Sequence, residues 1–251
     1  MFLTEAPLVE RRQVAHGMWV LGFLAPQIAA SAKAGQFVNI GMQPGPLLRR
    51  PFSVYRVDGD RIEVVLKAVG AGTAQLLAMR KSDTVSCLGP LGRGYDFISS
   101  ARTVVLISGG LGVAPMPLAA RDARRAGMKV TWVHGARTAG ELCAESDGDE
   151  VILATDDGSA GFAGNVVAAT PDADLVLACG PNRMLAAVAR RWPEAQVAVE
   201  TYMGCGTGVC LGCAVPLARG GYDRACTEGP VYRASEVDWT ALPSHLQYAI
   251  A

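Results

Sequence analysis

Over roughly the first 98 residues, apolar positions come in short runs broken every few residues by Gly, Pro or Asp-Gly. Runs at 18–23, 36–41, 53–57 and 61–67 have the length and the β-branched and aromatic content of strands. Asp58-Gly59, between the last two, is a hairpin-turn dipeptide. The pattern predicts one short helix over 72–79 and a further strand at 84–88. Many short strands with frequent turns predict a small antiparallel barrel.

From Thr103 the rhythm changes to strand, loop, helix. TVVLISGG is a compact apolar run ending in glycines, and PMPLAARDARRAG reads as a helix stopped by Gly127. Further strands are expected at 129–135, 150–157, 174–180 and 196–200, which predicts a parallel sheet with crossover helices. After Thr201 Gly and Cys become dense and periodicity fades, as in a loop-built metal site. The expected architecture is therefore a β barrel plus α/β: an antiparallel barrel over 1–99, a parallel-sheet domain over 100–200, and a small C-terminal loop region over 201–251.

The chain has 251 residues, with 23 Lys plus Arg against 23 Asp plus Glu, so its formal net charge is zero. That balance lacks the basic excess of a nucleic-acid partner. No run of about 18 apolar residues predicts a membrane helix, and MFLTEAPLVERR lacks the basic start and apolar core of a secretory signal. A cytoplasmic location is expected, and there seven cysteines read as ligands or core residues rather than disulfides.

Cys205, Cys210, Cys213 and Cys226 are spaced C-x4-C-x2-C-x12-C. The first three match the plant-type run whose thiolates hold most of a [2Fe–2S] cluster. Gly204, Gly206, Gly208 and Gly212 would let the backbone wrap closely and turn its N–H groups toward sulfur. The fourth thiolate would arrive after a hairpin through Arg219-Gly220-Gly221. Zinc uses similar ligands but prefers paired C-x2–4-C knuckles, and only one such pair occurs. Cys87 lies in a strand pattern and reads as a small hydrophobe; Cys143 is expected in a short helix near the surface.

ISGGLGVAP, residues 107–115, follows a strand and opens a helix. Gly109, Gly110 and Gly112 would let a pyrophosphate approach the backbone at a helix N-terminus; Pro115 is tolerated in a first turn. Cys179-Gly180-Pro181-Asn182 ends a later strand of the same sheet, so both motifs converge on the carboxyl edge where such sheets bind ligands. Asp156-Asp157-Gly158-Ser159 reads equally as a solvated turn or as part of that edge.

Arg50-Pro51-Phe52-Ser53 and Lys67-Ala68-Val69-Gly70-Ala71-Gly72-Thr73 mean little alone. Taken with the two glycine motifs, they resemble the ferredoxin–NADP reductase superfamily, which carries Arg-x-x-Ser, Gly-x-Gly-Thr, GGxGxAP and Cys-Gly-Pro in this order. The ending GCGTGVCLGC followed by CTEGPVY narrows the resemblance to the electron-transfer subunits of NAD-linked, two-subunit dihydroorotate dehydrogenases. The resemblance spans nearly the whole chain and implies that 1–99 is a flavin-binding barrel, 100–200 a nucleotide-binding α/β domain and 201–251 an iron–sulfur loop region. It implies FAD held by Arg50, Pro51, Phe52, Ser53, Lys67, Ala68, Val69, Gly72 and Thr73. It implies NAD at Gly109, Gly110, Gly112, Cys179 and Gly180, and a [2Fe–2S] cluster on the four cysteines. It further implies a partner, an FMN-containing catalytic subunit, in a heterotetramer with two copies of each.

Electrons would pass from that partner through the cluster and FAD to NAD+. Arg137 stands near the end of the second α/β strand, where an acid would mark NAD and an Arg can accept the 2′-phosphate of NADP; the residues leave both open. No Ser, His or carboxylate is nominated as catalytic, and His16, His134 and His245 form no ligand cluster. The same parts also suit a reductase subunit of a ferredoxin:NADP oxidoreductase, sulfide dehydrogenase or hydrogenase. A redox sensor or zinc-stabilised binding protein is the reading from another class.

Overall fold

The computed structural model describes residues 1–46, 48–98 and 100–244. The first seven strands are β1 (Phe2–Ala15), β2 (Met18–Leu24), β3 (Phe37–Gly41), β4 (Arg50–Ser53), β5 (Arg56–Asp58), β6 (Arg61–Lys67) and β7 (Thr84–Leu91). Helix α1 (Pro26–Ala29) joins β2 to β3, and α2 (Ala71–Ala78) joins β6 to β7. They form one antiparallel sheet in the order β4-β3-β7-β1-β2-β6-β5. In β7 buried residues alternate with more exposed ones along the whole strand, the period-two signature of a sheet with one face on a core. That core includes Met18, Val20, Phe23, Ile40, Ile62 and Leu66.

Two features differ from the expectation of uniformly short strands. β1 is the longest strand and serves two neighbours: residues 2–7 pair with β7, and residues from Leu8 onward pair with β2 across a register shift. The expected strand at 53–57 is split. Val54 donates its N–H to the Gln36 carbonyl (3.0 Å), while Tyr55 donates to Glu63 (2.8 Å). These adjacent residues join the two edges of the curled sheet, so the break closes the barrel. The expected hairpin at Asp58-Gly59 is present, with Gly59 at φ +54°.

The second sheet is built from β8 (Thr103–Gly109), β9 (Lys129–Ala136), β10 (Glu150–Thr155), β11 (Phe162–Ala163), β12 (Leu175–Cys179) and β13 (Gln196–Ala198), all parallel. Helix α3 (Met116–Arg125) follows β8, α4 (Val166–Ala169) follows β11, and α5 (Asn182–Arg191) follows β12. In α3 Met116, Ala119, Ala120 and Ala123 are buried, while Arg124 and Arg125 end the helix, where cations complement its dipole. The helix is reached through a 3-10 turn, Gly110–Val113, with Pro115 at its N-cap rather than inside it. The strand order is β11-β10-β9-β8-β12-β13, with one more strand beyond β13.

After β13 the chain makes the short hairpin β14 (Ala214–Pro216) and β15 (Tyr222–Arg224), turning at Gly220 and Gly221 as expected. It then returns as β16 (Val231–Arg233), antiparallel to β13. Phe37 and Leu91 of the barrel pack in one apolar cluster with Val199, Val215, Leu217 and Tyr232. No helix among the described residues is long and apolar enough to cross a membrane.

Candidate functional site

On the barrel, β4 and the start of α2 meet. Gly72 lies directly under the Arg50 guanidinium, which a Cβ at that position would displace. Arg50 also donates to the Leu48 carbonyl. Thr73 Oγ1 accepts from the Val69 and Gly70 N–H groups (2.9 and 3.2 Å) and donates to the Gly70 carbonyl (3.0 Å), which ties the turn shut. A guanidinium beside the free N–H groups of a helix start is an anion cradle, suited to a pyrophosphate. Lys67 ends β6 beside it, with Ala68 exposed and Val69 half-buried. Pro51 pairs with Asn39 of β3, Phe52 packs partly on the barrel core, and Ser53 ends the strand half-buried.

The two glycine turns of the α/β sheet touch one another. β8 is flanked by β9 on one side and β12 on the other, so the order in which strands are laid down reverses there and opens a crevice at their carboxyl ends. Gly112 is packed so tightly that a Cβ would overlap the Cys179 carbonyl. A Cβ on Gly180 would lie 3.2 Å from the Gly109 nitrogen, and both glycines abut Met184. Gly110 is at φ +54° with open space above it. Burial pushes the Cys179 thiol up to about 12, so it stays protonated.

A buried polar network holds this edge. Trp132 Nε1 donates to Ser108 Oγ (2.8 Å), which also meets His134 Nδ1 (2.8 Å), and His134 Nε2 accepts from the Cys143 N–H (3.0 Å). The neutral ring therefore carries its proton on Nδ1. Burial lowers His134 to about 4. Cys143 is not in a surface helix as expected: the helical turn ends at Glu141, and Cys143 is buried with its Sγ 3.8 Å from the Tyr55 hydroxyl. Cys87 is the buried strand residue expected. His16 is remote in sequence from this network, and His245 lies outside the described residues.

The cysteine loop is nearly free of regular structure from 201 to 213. Cys213 and Cys226 are buried with their sulfurs 3.3 Å apart; Cys205 is half-buried and Cys210 exposed. Backbone N–H groups point at sulfur: Thr207 to Cys205 (3.3 Å), Gly208 to Cys226 (3.1 Å) and Cys205 to Cys210 (3.5 Å). The Thr207 N–H draws the Cys205 thiol down to about 6, while burial raises Cys226 to about 12. Among the described residues no three His, Cys, Asp or Glu side chains close on one point to hold a single metal ion. The thiols instead stand two and two, Cys205 with Cys210 and Cys213 with Cys226. Four thiols so grouped, with N–H groups aimed at them, suit a two-iron cluster better than one ion.

Sequence reasoning missed three features. Arg12 donates to Glu63 (2.7 Å) on the barrel and Glu145 (2.6 Å) on the α/β side, and Tyr55 adds its hydroxyl to Glu145 (3.0 Å). Arg12 holds the Glu145 carboxyl below its ordinary range. This clamp borders a cavity of about 370 Å³ whose acids and arginines balance, so it is no anion site. Arg137 is paired with Glu141 (2.5 Å). Asn39, wholly buried in β3, donates from Nδ2 to the Cys205 carbonyl (3.1 Å). Asn39 carried a signal as the one polar residue inside an apolar strand, and the Arg137–Glu141 spacing of four residues carried another.

Residues 200–238 match the family described as the iron–sulfur cluster binding domain of dihydroorotate dehydrogenase B. The chain is 35% identical over 247 residues to the electron transfer subunit of dihydroorotate dehydrogenase B (NAD(+)) from Bacillus caldolyticus, covering 92% of this chain and 96% of the relative. It is 34% identical to the corresponding subunit from Desulforamulus reducens, covering 94% and 98%. Among solved structures it is similar to an NADH-dependent reduced ferredoxin–NADP oxidoreductase, with TM-score 0.85, 29% identity and coverage of 95% and 91%. Phthalate dioxygenase reductase shares the fold, with TM-score 0.62, 17% identity and coverage of 86% and 87%.

Proposed function

We propose, from the premise that this chain belongs to the family of dihydroorotate dehydrogenase B electron transfer subunits, that its three sites work in series to carry electrons to NAD+. The observation that carries this reading is the placement of the cysteine loop. It packs on the barrel through Phe37 and Leu91, and the barrel's β4 and α2 form the anion cradle. A thiol-held cluster and a flavin would then be neighbours on one body, with the dinucleotide crevice on the other.

Arg50 and the N–H groups of Gly72 and Thr73 would hold the FAD pyrophosphate, with Lys67, Ala68 and Val69 beside it. Pro51, Phe52 and Ser53 would line the ring, where a hydroxyl can hydrogen-bond a flavin nitrogen or oxygen. FAD, when bound, exchanges single electrons with a cluster and a hydride with nicotinamide. Gly110, open above, leaves the crevice floor bare for the NAD pyrophosphate, Gly109 and Gly112 let the two turns pack closely beneath it, and Cys179 and Gly180 would border the nicotinamide. The Cys179 thiol, held protonated, is a neutral wall rather than a competing nucleophile. NAD rather than NADP is supported by the NAD(+)-linked relatives; the exposed Arg137–Glu141 pair is too weak to hold the guanidinium from a phosphate.

The partner would be an FMN-containing catalytic subunit that oxidises dihydroorotate, in a complex with two copies of each chain. Exposed Cys210 is flanked by Val209, 81% exposed, and Leu211, 63% exposed. An apolar rim round an exposed ligand thiol is what a docking partner would cover. The cysteine usage fits a cytoplasmic location.

The test is an absorption spectrum of the purified chain before and after anaerobic NADH, with iron and flavin quantified. The expected result is one flavin and about two irons per chain, both bleached by NADH. A colourless, folded, zinc-containing protein overturns the reading. The likeness to the ferredoxin–NADP oxidoreductase structure supports a second partner class: reduction of ferredoxin, without co-purification of a dihydroorotate-oxidising subunit, would favour it.

A further inference from the structure

The interior of β3, Phe37 to Ile40, is buried throughout, and Asn39 is its one polar member, with no exposed surface. An amide there has few ways to be satisfied, because its strand neighbours Pro51 and Leu88 offer no side-chain partner. Its Nδ2 reaches out of the barrel to the carbonyl of Cys205, 166 residues away (3.1 Å). Its Oδ1 is buried and has no partner among the described residues. From the other side, Gly206 takes φ +74°, and a Cβ there would come within 2.6 Å of Asn39 Nδ2 and 3.4 Å of Leu91. The loop thus turns against the barrel at the point where Asn39 presents its amide.

Docking of the loop region does not depend on this contact. Phe37 and Leu91 pack with Val199, Val215 and Tyr232, and the Arg93 N–H bonds the Gly229 carbonyl (2.5 Å). What Asn39 adds is local: it holds the peptide between Cys205 and Gly206, next to the Thr207 N–H that points at the Cys205 sulfur. A buried polar group that a strand could replace with Leu or Val is a specificity device when it sets one geometry.

We infer that Asn39 is a positioning residue for the cysteine cluster site: its amide pins the Cys205–Gly206 turn to the flavin-side barrel and so sets how tightly the cluster is held and at what potential. The inference rests on the cluster reading above. Asn39 touches neither substrate nor sulfur; it acts through the Cys205 backbone.

The test uses the full chain with cluster and flavin loaded, as wild type, Asn39→Leu and Gly206→Ala. Leu fills the same space without the donor; Ala presses on the same contact from the loop. Flavin content and its bleaching by NADH report that the barrel is intact. Expected for both variants are iron loss to a chelator accelerated about fivefold or more, the worth of one buried hydrogen bond, a shifted cluster midpoint potential and an altered EPR signal of the reduced cluster. If Asn39→Leu fails to fold, Asn39→Ser decides, because its hydroxyl keeps a polar group in the strand but falls short of the Cys205 carbonyl; Gly206→Ala, strained at φ +74° in any case, serves only as a second reading. Unchanged iron loss, potential and EPR signal overturn the inference. Iron-free wild-type protein would remove the cluster reading itself, and the inference with it.

Discussion

The nucleotide crevice and the cysteine loop are both built on glycines, yet they keep their shape by opposite means. In the crevice, Gly109, Gly112 and Gly180 are pressed against backbone and Met184, beneath a sheet whose central strands are buried and pinned by the Ser108–Trp132–His134 network. In the loop, Gly206, Gly208, Gly220 and Gly221 all take positive φ, regular structure is nearly absent, and the N–H groups point at sulfur rather than at carbonyls. The first surface is preformed and waits for a ligand. The second reserves its donors for one, so its order is conditional on what it holds. An electron carrier gains from that division: the mobile substrate meets a rigid site, and the resident group organises its own.

The sharpest way to break this comparison is Gly112→Ala. A methyl group there overlaps the Cys179 carbonyl, and neither partner is a flexible side-chain tip. The expected cost is about 3 kcal/mol of stability, seen in thermal melts, with loss of NADH-dependent flavin bleaching but retention of iron. Equal stability of variant and wild type would show that the crevice is softer than its packing indicates.

A comparable effect should follow pH. His134 is lowered to about 4 from the ordinary imidazole value of 6.5, so between those values the unfolded chain binds more protons than the folded one. Stability is therefore fully present above about 6.5 and falls as pH drops toward 4, by at most about 3 kcal/mol. Denaturant unfolding at several pH values should show the slope, and His134→Gln should flatten it. An NMR titration of His134 near 6.5 would falsify this account.

The smallest effect sharpens the contrast. Stripping iron with a chelator should leave the second sheet within roughly 1 kcal/mol of its loaded stability, the range of ordinary local changes. Amide exchange across residues 204–213 should accelerate while β8, β9 and β12 stay protected. Uniform acceleration through both regions would mean that loop and sheet open as one unit.

The same contrast governs what could be read in advance. The sheet was legible as structure because apolar runs and helix stops follow local rules; its chemistry was weak, since glycine turns serve many purposes. The loop was legible as chemistry, because thiol spacing encodes ligation, while its conformation was not. The break at Val54 and Tyr55 was invisible because it depends on which edge each N–H meets, a property of the closed barrel. The Arg12–Glu63–Glu145 clamp escaped because its members lie up to 133 residues apart. Asn39 was in plain view but had no reason attached to it until Cys205 arrived from the far end of the chain.

One further consequence follows from β16. Because it lies antiparallel beside β13, with Ala198 opposite Val231 and the ladder continued by the Val199 N–H to Pro230 (2.9 Å), the chain leaves the sheet and comes back at the same doorway. Everything between, the four cysteines included, is topologically the loop of a single hairpin. Such a segment is a cartridge: replaced by a tight turn, it would leave a flavin and nucleotide body whose sheet is still complete, and a different redox module could be seated in the same opening without rethreading the fold.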